Sequence, residues 1–186
     1  MLNTWDVFWG LRIEQCPCDV HFVEWLEETA ATGKTIYHFG SGGHHYVGIR
    51  CAEPELNNPV LSITASTPEY ESWIKLAKDQ PELTKMYSCY FGDIYTSNAK
   101  LLPRFDIVTL FHSCEFRNEK NDAYCALTDL EVMQLFTDQT EVGGYILFYT
   151  GSFAFASAEP IIAQWATTRS VEKVGLFKTL LVYRKT

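Results

Sequence analysis

The sequence predicts an α/β domain built on a doubly wound, mostly parallel sheet of about seven strands, with helices on both faces and a C-terminal antiparallel hairpin. Three observations carry this reading. Short apolar runs rich in β-branched and aromatic residues alternate with segments of helical periodicity. The run Phe105–Phe111 is almost continuously apolar, as a strand covered on both faces must be. The last two strand-like runs lie too close together to hold a helical crossover, so they must pair antiparallel.

Each element has its own signal. Asp19 is placed to cap a first helix in which Phe22, Trp25, Leu26 and Ala30 recur at helical spacing, with Gly33 to end it. Thr35–Phe39 reads as the first strand and breaks abruptly into Gly40-Ser41-Gly42-Gly43, from which a helix runs over His44 to about Ala52. Val60–Ala65 is the second strand. Thr67-Pro68-Glu69 then starts a helix towards Asp79: a hydroxyl cap, a proline whose missing N–H costs nothing there, and an acid for the dipole. Met86–Phe91 is the third strand, closing on Gly92-Asp93, and Phe105–Phe111 is the fourth. Thr128 and Glu131 form a capping box for a helix through Phe136. Gly143-Gly144 turn the chain into a fifth strand, Tyr145–Thr150, and a short helix follows around Ala158–Thr167. Val171–Phe177 and Thr179–Arg184 complete the hairpin.

A length of 186 residues suits one domain over residues 1–186, with an aromatic segment and helix over 1–34 and the sheet core over 35–186. Hydrophobic residues at 47% and charged residues at 20% exclude a disordered chain. Fifteen Lys+Arg against 23 Asp+Glu leave a net charge of −8, which argues against nucleic acid and anionic membrane surfaces as partners. No run is apolar and long enough to span a bilayer, and the N-terminus lacks a basic-then-apolar leader. The six cysteines are scattered, so reduced thiols and a cytoplasmic location are expected. Cys16-Pro-Cys18 resembles half a metal knuckle, but no second Cys/His pair at zinc-finger spacing accompanies it, and no metal site is expected.

The glycine turn is the strongest ligand signal. Three glycines within four residues, between a strand and a helix, allow a tight turn, close backbone approach and free N–H groups aimed at a ligand. A dinucleotide fingerprint needs Gly or Ala where His45 stands, so NAD is disfavoured. Gly33-Lys34-Thr35 ends like a P-loop, but its first glycine would fall on Glu28 and it precedes the strand, which excludes ATP and GTP.

From about Thr35 onward, the order of features resembles the class I S-adenosylmethionine-dependent methyltransferases. The strand followed by Phe39-Gly40-Ser41-Gly42-Gly43-His44 is similar to the family's first motif, which wraps the methionine part of the cofactor. Gly92-Asp93-Ile94 is similar to the family's acidic position beside the adenine. Phe105-Asp106-Ile107-Val108 and Glu141-Val142-Gly143-Gly144-Tyr145-Ile146 are similar to its fourth-strand motif and its entry into strand five. The resemblance implies a Rossmann-like fold and S-adenosylmethionine as cofactor, with S-adenosylhomocysteine as product. The cofactor-binding set it implies is Phe39, Gly40, Ser41, Gly42, His44, Thr64, Asp93, Ile94 and Phe111.

One position departs from the pattern. Where the family places a ribose-binding acid at the end of strand two, this chain has Thr64. One neutral hydrogen bond in place of two charge-assisted ones should cost roughly 1.5–3 kcal/mol, about 10- to 100-fold in affinity. Restoring the acid by Thr64→Asp is therefore expected to tighten binding. Glu69 is the nearest acid, but its place at a helix start already accounts for it. His38-Phe39 also replaces the family's acidic-aliphatic pair.

Candidates for chemistry follow the fourth strand. His112 is placed to accept a proton from a hydroxyl or amine, and Glu115 to orient it or bind a cationic acceptor. The competing reading has His112 satisfying a buried carbonyl and Glu115 paired with Arg117. His44 is expected at the ligand turn, His45 in packing and His21 at the surface. Trp5, Phe8, Trp9, Phe153 and Phe155 suit the walls of a pocket for a planar or cationic small molecule; the competing reading is an N-terminal segment packed on the core, or a homodimer contact. The functional expectation is O- or N-methylation of a small-molecule acceptor. The alternative is a non-catalytic Rossmann-like protein that binds a ligand or another protein.

Overall fold

In the computed structural model, which describes residues 2–186, seven strands form one sheet in the order β3-β2-β1-β4-β5-β7-β6. They are β1 (Ile36–Phe39), β2 (Val60–Thr64), β3 (Tyr87–Phe91), β4 (Phe105–Thr109), β5 (Thr140–Tyr149), β6 (Val171–Phe177) and β7 (Leu180–Lys185). The first five run parallel, and β7 lies antiparallel between β5 and β6. The strand order reverses between β1 and β4, which opens a crevice at their carboxyl ends.

The alternation of side chains along the strands divides the core in two. Ile36, Val60, Tyr87 and Ile107 point to one face and pack under α1 (Cys18–Glu28), α2 (Tyr46–Cys51) and α3 (Thr67–Asp79). Tyr37, Ile63, Val108 and Ile146 point to the other, under α5 (Asp129–Gln139) and α6 (Phe155–Thr168). A short helix, α4 (Glu119–Asp122), sits between β4 and α5. Trp165 of α6 is fully buried and donates from Nε1 to Thr137 Oγ1 of α5 at 2.8 Å, so its one polar atom is satisfied.

Several expected boundaries move, each for a local reason. Asp19 does not cap α1: Pro17 holds the cap position without a side-chain bond, and Asp19 is buried in the first turn. The helix ends at Glu28 and Ala30 takes the left-handed turn at φ 51°, leaving Gly33 farther out in the loop. α2 begins only at Tyr46, because His45 stands in the left-handed region at φ 50°. Ser66, not Thr67, caps α3 by accepting from the Glu69 N–H. β5 starts at Thr140, with Gly143-Gly144 inside it. A Cβ on Gly144 would lie 2.4 Å from Asp106 O, so the glycine serves close approach of β4 where the register shifts. The Thr128–Glu131 capping box forms as expected.

Candidate functional site

The crevice holds a cavity of about 410 Å³, within the range of small-molecule sites. Phe39, Gly40, Gly42, His44, Thr64, Asp93, Ile94, His112 and Glu115 all line it. Two expected members do not. Ser41 turns its hydroxyl towards Cys89 Sγ at 3.6 Å. Phe111 is buried against Phe22 and His38, because strand parity sends it into the core on the α1 face.

The glycines are dictated by geometry. Gly40 has φ 89°, and a Cβ there would lie 2.4 Å from His112 Cδ2. Gly42 has φ 55°, with a Cβ position 2.7 Å from His44 Nε2. Any side chain at either would be strained and would fill the cradle. Gly43 serves a different purpose: its face is covered by Phe8 of the N-terminal segment.

That segment straps the mouth of the cavity. Trp5 N donates to Ala65 O at 2.9 Å, Gly43 N to Trp9 O at 2.8 Å, and the Ser66 hydroxyl to Val7 O. Trp5, Val7 and Trp9 line the cavity, whereas Phe8 is largely exposed beyond its contact with Gly43. Phe153 stands at the rim, and Phe155 packs into the core.

The acid that strand two lacks arrives from α3. Thr64 Oγ1 donates to Glu69 Oε2 at 2.7 Å, and Trp9 N donates to Glu69 Oε1 at 3.1 Å. Glu69 is buried and lines the cavity; desolvation raises its pKa, against the pull of these two hydrogen bonds. The sequence hid this placement because an acid at a helix start has an ordinary explanation. Asp93, after β3, is fully engaged. Its Oδ1 accepts from Tyr95 N at 3.0 Å, and its Oδ2 from Asn121 Nδ2 at 2.8 Å and Tyr124 Oη at 2.5 Å. Asn3 completes the network by donating to Asn121 Oδ1 at 3.0 Å.

On the opposite wall, His112 Nδ1 lies 3.1 Å from Glu115 Oε1, close enough for charge pairing but off line for a hydrogen bond. Glu115 also accepts from Ser152 Oγ at 2.5 Å. Arg117 pairs with Asp122 instead, so the expected competing pair with Glu115 does not form. Burial by itself would lower the pKa of His112. Glu115, with Cys16 and Asp19 behind it, outweighs burial and lifts it to about 9. That shift favours the protonated imidazole, which donates, over the free base expected from the sequence.

Cys16 and Cys18 meet His112 here, with their Sγ atoms 3.4 Å apart and the three donor atoms within 4.8 Å of one another. The Cys18 thiol beside it draws Cys16 down to about 6. Asp19 is pushed up to about 7 by desolvation. Its oxygens face His38 Nε2 at 3.6 Å and His44 Nε2 at 3.5 Å. Burial holds His38 near 3 and His44 near 4, so both rings are neutral at pH 7. His45 packs on Trp73 and shares a 2.8 Å hydrogen bond with Tyr87 Oη, as a core residue should. His21 pairs with Thr179 Oγ1, partly buried, away from the cavity.

No known family model and no curated protein sequence matches the chain. Solved structures match it in fold. A SAM-dependent methyltransferase from Aquifex aeolicus superposes with a TM-score of 0.60 at 12% identity, over 93% of this chain and 91% of that one. A methyltransferase from Pyrococcus furiosus gives 0.59 at 12% identity, over 90% and 82%. Coclaurine N-methyltransferase bound to N-methylheliamine and SAH gives 0.51 at 13% identity, over 69% of this chain. The chain spans 35% of the length of that enzyme and 46% of the StiE O-methyltransferase segment it also matches. With its strand order, its reversed β7 and its glycine turn after β1, the chain has the fold of the class I S-adenosylmethionine-dependent methyltransferases.

Proposed function

We propose that this chain, acting as one domain over residues 1–186, transfers a methyl group from S-adenosylmethionine to a small-molecule acceptor. One observation carries the reading: the Gly40–Gly42 cradle and the Glu69–Thr64 pair face the same cavity at the strand carboxyl ends. When bound, the cofactor would supply an electrophilic methyl group on a sulfonium. The glycines let backbone N–H groups come close to it. Glu69 has acceptor sites left beyond its two hydrogen bonds, enough for a pair of hydroxyls, and Thr64 holds its carboxylate in place. The affinity loss expected from Thr64 is thereby largely offset. Asp93 anchors the turn that presents Ile94 to the cavity. Trp5 and Trp9 exclude water, which favours a displacement that depends on positioning. His112 offers a proton as a hydrogen-bond donor to the acceptor, oriented by Glu115.

A non-catalytic ligand-binding role is the second reading. It is favoured by Asp93, whose oxygens already have protein donors and offer little to an adenine. Calorimetric titration with S-adenosylmethionine and S-adenosylhomocysteine tests the cofactor site. Micromolar binding supports it and justifies an acceptor screen; no heat up to millimolar ligand removes the methyl-transfer reading.

A further inference from the structure

Cys16 and Cys18 lie on either side of Pro17, at the entry to α1, and His112 lies on the turn after β4. The loop that carries Cys16 is braced, since Gln15 N and Cys16 N both donate to Arg12 O, at 2.9 and 2.8 Å. Two sulfurs and an imidazole nitrogen thus converge from segments far apart in sequence, within 4.8 Å of one another. The 3.4 Å between the sulfurs is too long for a disulfide and close to the ~3.8 Å that two thiolates span on a tetrahedral zinc with Zn–S bonds of ~2.3 Å. From this geometry we infer that Cys16, Cys18 and His112 form a site for a soft divalent cation of the zinc type, with its fourth coordination position open to the cavity.

Four features support the assignment. Two thiolates, a neutral imidazole and a dication sum to no net charge, so the loaded site can stay buried at little electrostatic cost. Sulfur and nitrogen donors select zinc-type ions over magnesium or calcium. Glu115 sits 3.1 Å from His112 Nδ1, where a small rotation of the ring would bring it into line as the carboxylate that metal-bound histidines commonly carry behind them, with Nε2 left for the metal. All three residues line the cavity, and three protein ligands with an open position mark a site that exchanges a ligand, unlike a closed structural one. In the loaded state, His112 gives the metal its Nε2 lone pair in place of a proton, and both thiols release theirs. Metal binding needs no cofactor and is tested apart from the methyl-transfer reading, but a loaded site takes the His112 nitrogen that this reading uses as a donor, so the two uses of His112 exclude each other in one state.

The test is titration of the reduced, chelator-treated full chain with Co2+, followed by Zn2+. One Co2+ per chain, with thiolate charge-transfer and tetrahedral d–d bands that one Zn2+ abolishes, is the expected result. Cys16→Ser should weaken Zn2+ binding more than about 100-fold, and Glu115→Gln about 10-fold, the range for a group behind a ligand. Cys125→Ser, at an exposed cysteine outside the cluster, should change nothing. Bound Zn2+ should also protect Cys16, the accessible thiol of the pair, from alkylation, as peptide mapping would show. That readout decides the matter even if Cys16→Ser fails to fold. Absence of charge-transfer bands, bands that persist in Cys16→Ser, or protection at other cysteines would overturn the site. Cofactor calorimetry is a separate measurement, so failure of either reading is recognised without the other.

Discussion

Replacing Thr64 by Asp tests the Thr64–Glu69 pair at the end of β2, where the structure adds a stability cost to the substitution. From the sequence, the substitution restores a missing acid and should tighten binding. In the fold, Thr64 Oγ1 already donates to Glu69 Oε2 at 2.7 Å, and both residues are buried. An aspartate there loses that donor, worth about 1 kcal/mol. It also sets two carboxylates within about 4 Å, a repulsion of about 4 kcal/mol at an effective dielectric of about 20. The pair limits the repulsion by keeping one proton. The shared pKa then rises above the unfolded value, so the folded state binds more protons and stability falls as pH rises through that window, at about 1.4 kcal/mol per unit. The expected loss is about 3–5 kcal/mol at pH 8 and about 1 kcal/mol at pH 5. At pH 8 this lowers the melting temperature by roughly 6–20 °C. Urea denaturation and thermal melts at the two pH values read it directly. In a Glu69→Gln background the loss should nearly vanish, since the amide can donate to the new carboxylate. A Thr64→Asp variant as stable as the parent at pH 8, or a loss untouched by Glu69→Gln, would refute the pairing.

Three further outcomes are expected. Gly42→Arg puts a side chain where a Cβ already lies 2.7 Å from His44 Nε2, so calorimetric binding of S-adenosylmethionine should disappear; retained affinity would remove Gly42 from the site. His45 is held neutral, with burial lowering its pKa to about 4, so the stability it contributes is complete above about pH 6.5 and drains away as pH falls towards 4, by about 3 kcal/mol in all. His45→Asn tolerates the left-handed backbone and should flatten the acid limb of a stability–pH curve by about one proton; an unchanged slope would count against the buried neutral ring. Trp165→Phe removes the bond to Thr137 Oγ1 and part of a fully buried ring, so denaturant midpoints should report about 2–3 kcal/mol lost, and a neutral result would argue that α5 and α6 do not meet there.

By itself, the sequence determined the strand and helix order, the parallel sheet with its closing hairpin, and the glycine turn. These rest on local signals: side-chain period, caps and the residues a tight turn demands. The Thr128–Glu131 capping box was legible because its groups lie three residues apart, and the Gly40–Gly42 turn because its positive φ angles are a local demand for glycine. Boundaries slipped where long-range packing overrode local preference, as at Gly143-Gly144, which the approach of Asp106 drew into the middle of β5. Only the tertiary structure decided which side chains share the cavity. Strand parity removed Phe111, and the first turn of α3 carried Glu69 back to Thr64. The fold also closed His112 on Cys16 and Cys18 across most of the chain, although the pair alone had shown no partner at zinc-finger spacing. Such meetings depend on distances in space between segments that sequence spacing does not relate, so the protein's chemistry stayed hidden where its architecture was plain.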